Sequence, residues 1–262
     1  MELIEILKFS LISAIITLDE RNIGNFGVSR PIVSGFIFGS LTDNFILGIY
    51  CGLMVEMFTI IFLPVGNFIP PSGSIITAIT IFLSNKFINN FNSLFPIIFF
   101  YSLSMGNLVR RITAFIWRVN NYHTEAFFKR LKNGKINFLR FNIESIFVSI
   151  IFFSIFTFIS IFLGKYFMNF LLVNVLNNFL ITNIMKEIIK YLPILGLSMF
   201  LKIYDIPPKI YIIILGAFFA AFSTLFIKDL KIVLLISFLI SSIVIFIISR
   251  ISLRFKIWKI LK

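Results

Sequence analysis

The lengths of the apolar segments constrain this fold more than any motif does. A helix needs about 20 predominantly apolar residues to cross a bilayer core, and against that ruler the segments divide sharply. Residues 45–63, 143–163, 209–226 and 232–249 are near-full spans, and residues 3–18 and 94–105 are shorter candidates. Residues 31–42 and 74–84 are too short to cross unless tilted or extended by polar residues. Such pieces enter and leave on one side or form half of a broken helix, because unpaired backbone survives at depth only where protein or water satisfies it. Composition agrees. Of the 262 residues 59% are hydrophobic and 13% charged, and mean hydropathy is +1.02, whereas soluble domains are about 45–50% apolar with about 25% charge. A water-soluble enzyme, a disordered tail and a nucleic-acid-binding domain are disfavoured. The expectation is an all-α integral membrane protein, a multi-span helical bundle with short re-entrant or broken helices.

The net charge of +13 is localised. Residues 108–140 hold Arg110, Arg111, Arg118, Lys129, Arg130, Lys132, Lys135 and Arg140 against the lone acid Glu125, a net of +7. The tail at 250–262 adds Arg250, Arg254, Lys256, Lys259 and Lys262 for another +5. Basic clusters between spans are retained on the cytoplasmic side near anionic headgroups, so both segments are expected to be cytoplasmic. Val109, Ile112, Ile116 and Val119 recur at helical spacing with Trp117 beside them. That pattern reads either as a helix leaving the membrane along its interface or as a solvated basic loop. At the other end, Glu2 and Glu5 replace a basic n-region, so residues 3–18 read as a retained first helix rather than a signal peptide.

The second half is interrupted too. Residues 171–181 carry Asn174, Asn177 and Asn178, and Pro193 and then Pro207-Pro208 follow, positions expected to end or kink helices. Broken hydrophobic segments in both halves point to a transporter's central site, although no residue-level repeat relates the halves.

Glu56 is the most informative polar residue. It lies inside an apolar span, where a charge costs at least about 2.5–3.5 kcal/mol at mid-bilayer, so it should face a cavity or a partner. Thr42 and Asp43 offer an N-cap for its helix, which places Gly48, Gly52 and Glu56 on one face. That face leaves room for a ligand, and equally for a neighbouring helix with the acid as interhelical glue. The helix is expected to end at Pro64, followed by a breaking link through Gly66, Asn67, Pro70, Pro71, Ser72 and Ser74. Freed backbone groups around Gly66, the Asn67 amide and the Ser72 and Ser74 hydroxyls offer the neutral donors and acceptors that a polyol needs, with Glu56 as acceptor. An ordinary Pro/Gly surface turn fits the same residues.

The run Arg30-Pro31, Gly39, Asp43, Gly48, Gly52, Glu56-Met57 and Gly66, continuing to Pro71, resembles the IIC subunit of the mannose/fructose/sorbose family of bacterial sugar phosphotransferase systems. Leu18-Asp19-Glu20 upstream fits as well, as do Gly106-Asn107, Thr124-Glu125-Ala126, Asn133-Gly134 and residues 216–222 further on. The chain departs from the family pattern at Pro64, where Asn is common, at Ser72, where Asp is common, and in a longer stretch from Asp19 to Arg30. The resemblance implies a permease domain over residues 1–249 with a short tail, in the cytoplasmic (inner) membrane. It implies group translocation: an elevator-type transport domain moves against a scaffold and delivers a hexose or related sugar to a phosphorylated IIB protein. The implied partners are a IID membrane subunit, soluble IIA and IIB phosphocarriers, the lipid bilayer and further copies in an oligomer.

A phosphoryl relay needs an exposed nucleophile. Cys51 lies in an apolar span, and His123, the only histidine, has no activating neighbour in sequence. The chain is therefore expected to carry no phosphate and to be non-catalytic on its own. With no ATP-binding loop and no metal-ligand cluster in the sequence, no cofactor is expected. Two alternatives stay open, a solute permease without phosphorylation and a membrane scaffold or receptor that has lost transport.

Overall fold

A computed structural model describes residues 2–62, 68–131, 138–174 and 179–201, all within one compact unit, Met1–Ile203. Among these residues there are helices and no strands. Helix α1 (Glu2–Leu18) runs into a π turn, Asp19–Ile23. Three short helices follow, α2 (Pro31–Leu41), α3 (Phe45–Thr59) and α4 (Gly73–Lys86), and then a 3-10 turn, Ile88–Asn90. The long helices α5 (Phe91–Leu131) and α6 (Phe138–Asn174) and the shorter α7 (Phe179–Leu201) complete the described chain.

Helix α4 is the centre of the unit. It packs against α1, α2, α3, α5 and α6, and every residue from Gly73 to Ser84 is buried. Fourteen residues at about 1.5 Å each fall well short of a bilayer core. A helix this short at depth must find its surroundings in protein, and its own hydroxyls are tied inward. Thr77 donates to the Gly73 carbonyl and Thr80 to that of Ile76, both at 2.8 Å. Neighbouring helices come close where they lack side chains: a Cβ on Gly106 of α5 would run into Ile76, and one on Gly164 of α6 would lie 2.8 Å from Leu83 Cδ1.

The long helices obey the bilayer ruler differently. Stretches at Ile88–Tyr122 and Phe141–Asn174 are long and apolar enough to cross a membrane. Helix α5 has 41 residues, about 60 Å of helix, so roughly half of it lies beyond one hydrocarbon thickness of about 30 Å.

Several sequence expectations change. Residues 94–105 do not form a separate short segment; they belong to α5, which runs on through the basic residues as far as Leu131. Polarity changes the solvent a helix prefers but does not break its backbone hydrogen bonds, so the insert up to Leu131 is a continuation of a spanning helix. Phe127 and Phe141 meet with ring centroids 4.8 Å apart, holding α5 and α6 together near that end. Helix α3 stops at Thr59 rather than running to Pro64. Its N-cap is Asn44, whose side chain accepts from the Leu47 amide at 3.2 Å, while Asp43 takes a left-handed φ of 52° in the turn from α2. Pro193 lies inside α7 without ending it, as membrane helices tolerate where neighbours satisfy the freed carbonyl. The interruption expected near Asn177 and Asn178 falls on residues 175–178, which lie outside the described residues. The spans expected at 209–226 and 232–249, Pro207-Pro208 and the 250–262 tail lie outside the described residues.

Candidate functional site

The short helices α2 and α3 form a hairpin locked by glycines. A Cβ on Gly48 would lie 2.5 Å from the Gly35 carbonyl oxygen and from Gly39 Cα, and one on Gly52 would lie 2.6 Å from the Pro31 carbonyl oxygen. All these atoms are backbone, so nothing can rotate away. The Gly48 and Gly52 face of α3 is thus occupied by α2, the helix-packing alternative for that face.

Glu56 stands at the open end of this contact. Arg30 precedes α2 in an extended conformation, and Pro31, at the first helical position, fixes where the helix begins. The carboxylate accepts from Arg30 Nη1 at 3.1 Å through Oε1 and from the Ile32 amide at 3.4 Å through Oε2. It therefore meets a guanidinium and the positive end of a helix dipole at once. The Glu56 side chain is 13% exposed and that of Arg30 64%, so the acid is sheltered and its cation reaches outward. The costly charge has a partner, and that partner lies 26 residues away in sequence.

Arg30 is delivered by a link that Asp19 organises. The Asp19 carboxylate accepts from the Phe26 amide at 2.7 Å and the Ser29 amide at 3.1 Å, and its carbonyl accepts from the Asn25 amide at 2.7 Å. Gly24, at a φ of 136°, makes the reversal that this wrap requires. The Asp19-to-Arg30 stretch is thus a folded collar with an acid at its centre.

Ser72 and Ser74 sit at the start of α4 and are fully buried. Ser72 Oγ lies 3.1 Å from Ser74 Oγ, which lies 2.9 Å from Thr17 Oγ1 of α1; Thr17 donates to the Ser13 carbonyl at 2.7 Å. Each hydroxyl has one proton. With Thr17 committed to Ser13, Ser74 donates to Thr17 and Ser72 to Ser74. The end of this relay, Ser72, retains free lone pairs and acts only as an acceptor toward a further group. Beside it, Arg21 donates from Nη2 to the Pro70 carbonyl at 2.8 Å and pairs with Glu20 at 3.4 Å. Its Nε is buried without a partner.

Of the expected site residues, the structure joins Ser72 to Ser74 and leaves both beneath the surface. Pro31 comes close to Gly52 of α3 and to Gly73 of α4, but no hydrogen bond joins Glu56 to either serine among the described residues. Gly66 and Asn67 lie outside the described residues, as do Pro64 and the His123 side chain. Cys51 is a buried free thiol. Sequence reasoning missed Arg21, Thr17 and the role of Arg30. Arg21 left one signal, a basic residue directly after Leu18-Asp19-Glu20.

Among solved structures, the chain is similar to one described as the structure of a membrane protein, with a TM-score of 0.59 and 15% identity over 93% of this chain and 94% of that one. It is also similar to a chain in the cryo-EM structure of the mannose transporter ManYZ in complex with microcin E492, with a TM-score of 0.52 and 15% identity over 93% and 94% of the respective chains. At that identity the likeness establishes a shared fold, a helical membrane fold spanning nearly the whole chain. A comparison with curated proteins gives no match. In sequence, residues 3–248 match the sorbose-specific IIC component of the phosphotransferase system, and the chain belongs to that family.

Proposed function

We propose that this IIC-family membrane protein is the sugar-permease subunit of a mannose-type phosphotransferase system. It binds a hexose or related sugar and passes it across the inner membrane for phosphorylation by a separate IIB protein. A IID subunit completes the membrane complex, soluble IIA and IIB relay the phosphoryl group, and the complex is an oligomer in which an elevator-type domain moves against a scaffold. The 108–140 insert and the 250–262 tail face the cytoplasm.

The observation that carries this reading is the placement of Glu56. An acid is held at the start of α2 by an outward-reaching arginine and one long amide contact. A sugar hydroxyl donating to Oε2 has only that weak amide bond to displace. Ser72, with its free lone pairs, adds a second acceptor once the link over α4 opens, and Asn67, Gly66 and Ser74 complete the polar set. A second reading is favoured by the same ion pair: Glu56 is interhelical glue, and the hairpin serves a scaffold.

The test is sugar binding by the assembled IIC–IID complex across a panel of hexoses and polyols. Binding of one of them, followed by accumulation of its phosphate only when IIA and IIB are present, is the expected result. His123→Ala should leave phosphorylation-coupled uptake intact; its abolition at normal protein levels would assign the histidine a place in the relay. No binding by any member of the panel would favour the scaffold.

A further inference from the structure

Away from Glu56, a cleft of about 470 Å³ opens between the end of the link before α4 and the middle of α5, lined by Ile69, Asn107, Leu108, Arg110, Arg111 and Ala114. We propose that this cleft binds a phosphate oxyanion.

Four features lead there. Asn107, Arg110, Arg111 and Ala114 fall at i, i+3, i+4 and i+7, so one face of α5 presents an amide and two guanidinium groups, with a small residue leaving room at its end. The Arg110 guanidinium carbon lies over the Phe68 ring, 4.4 Å from its centroid. This cation–π contact holds the group at the cleft without using its N–H donors, which suits a bidentate contact to a phosphate. Among the described residues no carboxylate pairs with either arginine, whereas Arg21 and Arg30 each have one.

Depth supplies the fourth feature. Residues 92–109 of α5 carry no charge, so Arg110 is the first charged residue of the helix. At about 1.5 Å per residue it stands roughly 28 Å from the start, close to one hydrocarbon thickness. A hydrocarbon core that begins at the helix start would therefore place Arg110 and the cleft at the level of lipid phosphates. Phosphate oxygens reach this level from two sources, the headgroup of an anionic phospholipid and a soluble phosphate monoester.

The experiment measures the Tm of the full chain in phosphatidylcholine nanodiscs, with phosphatidylglycerol added in one arm and glucose 6-phosphate, against glucose, in the other. Stabilisation in the first arm identifies a lipid headgroup, and in the second a soluble monoester. R110Q/R111Q should lose most of the response, about fivefold in apparent affinity for each arginine, whereas R118Q, on the same helix outside the cleft, should keep it. Should the double variant fail to fold, R110K/R111K retains the charge but loses the fork and should respond only partly. No response in either arm, an equal loss in R118Q, or a full response from the lysine pair would overturn the proposal. None of these readouts depends on sugar transport.

Discussion

Helices α4 and α6 show how one sequence serves two solvents. Helix α4 is buried by other helices from Gly73 to Ser84, whereas only 28% of the apolar stretch of α6 is buried within the protein. Both are rich in apolar and hydroxyl side chains, and composition alone does not separate them. Length does. The apolar part of α6 is long enough to cross, so lipid can satisfy its flank; α4 is too short to satisfy its ends in lipid, so the protein encloses it. The enclosing helices must come close, and the glycines at positions 35, 39, 48, 52, 73 and 106 mark where they do. The enclosed region is therefore intolerant of added volume, and the exposed one is not.

The largest expected effect tests that contrast directly. Gly48→Leu places its Cβ against backbone atoms of Gly35 and Gly39, which cannot shift without parting α2 from α3. The loss should be at least about 3 kcal/mol, seen as collapse of the folded yield in mild detergent. Ile151→Ala on α6, where the side chain is 51% exposed, should stay within about 0.5 kcal/mol. Comparable melting of the two variants would mean that the hairpin is not interlocked.

A smaller effect, on binding rather than folding, is expected at Glu56. Glu56→Gln keeps the shape, removes the charge from the Arg30 pair and converts one acceptor to a donor. Hydrogen bonds to a charged group contribute about 1.5–3 kcal/mol, so sugar affinity of the assembled complex should fall roughly tenfold to a hundredfold. Unchanged affinity with a shifted Tm would make Glu56 structural and place the hairpin with the scaffold.

How much of this could be read in sequence follows from which interactions are local. Helix lengths are local, and the short α2 and α4 were legible from residues 31–42 and 74–84. Residue chemistry is local, which is why Glu56, Ser72 and Ser74 stood out. Partners are not. Arg30 meets Glu56 across 26 residues, and Thr17 meets Ser74 across 57, so neither the ion pair nor the hydroxyl relay had any periodicity to announce it. The Gly48 and Gly52 face was visible, but whether a helix or a ligand fills it depended on the path of α2. For residues 109–119 the spacing left a helix and a basic loop both open; the helix is what forms, as a continuation of α5, because a change from apolar to basic residues ends nothing in the backbone.

The smallest effect lies at Ser72, where the sequence resemblance implies an acid in related chains. In the relay Ser72 donates to Ser74 and receives nothing, so Ser72→Ala removes one neutral hydrogen bond and should cost about 0.5–1.5 kcal/mol. Thr17→Val should cost more, because Thr17 both donates to the Ser13 carbonyl and accepts from Ser74, leaving two groups unsatisfied. Ser72→Asp puts an acid at a fully buried position, so in this arrangement it should lower stability rather than raise it. Sugar affinity separates the two regions once more. If the link over α4 opens to admit the sugar, Ser72→Ala weakens binding by the same fraction of a decade to a decade. If α4 stays enclosed throughout, affinity is unchanged while Tm falls, and the serines belong with the buried core rather than with the pocket.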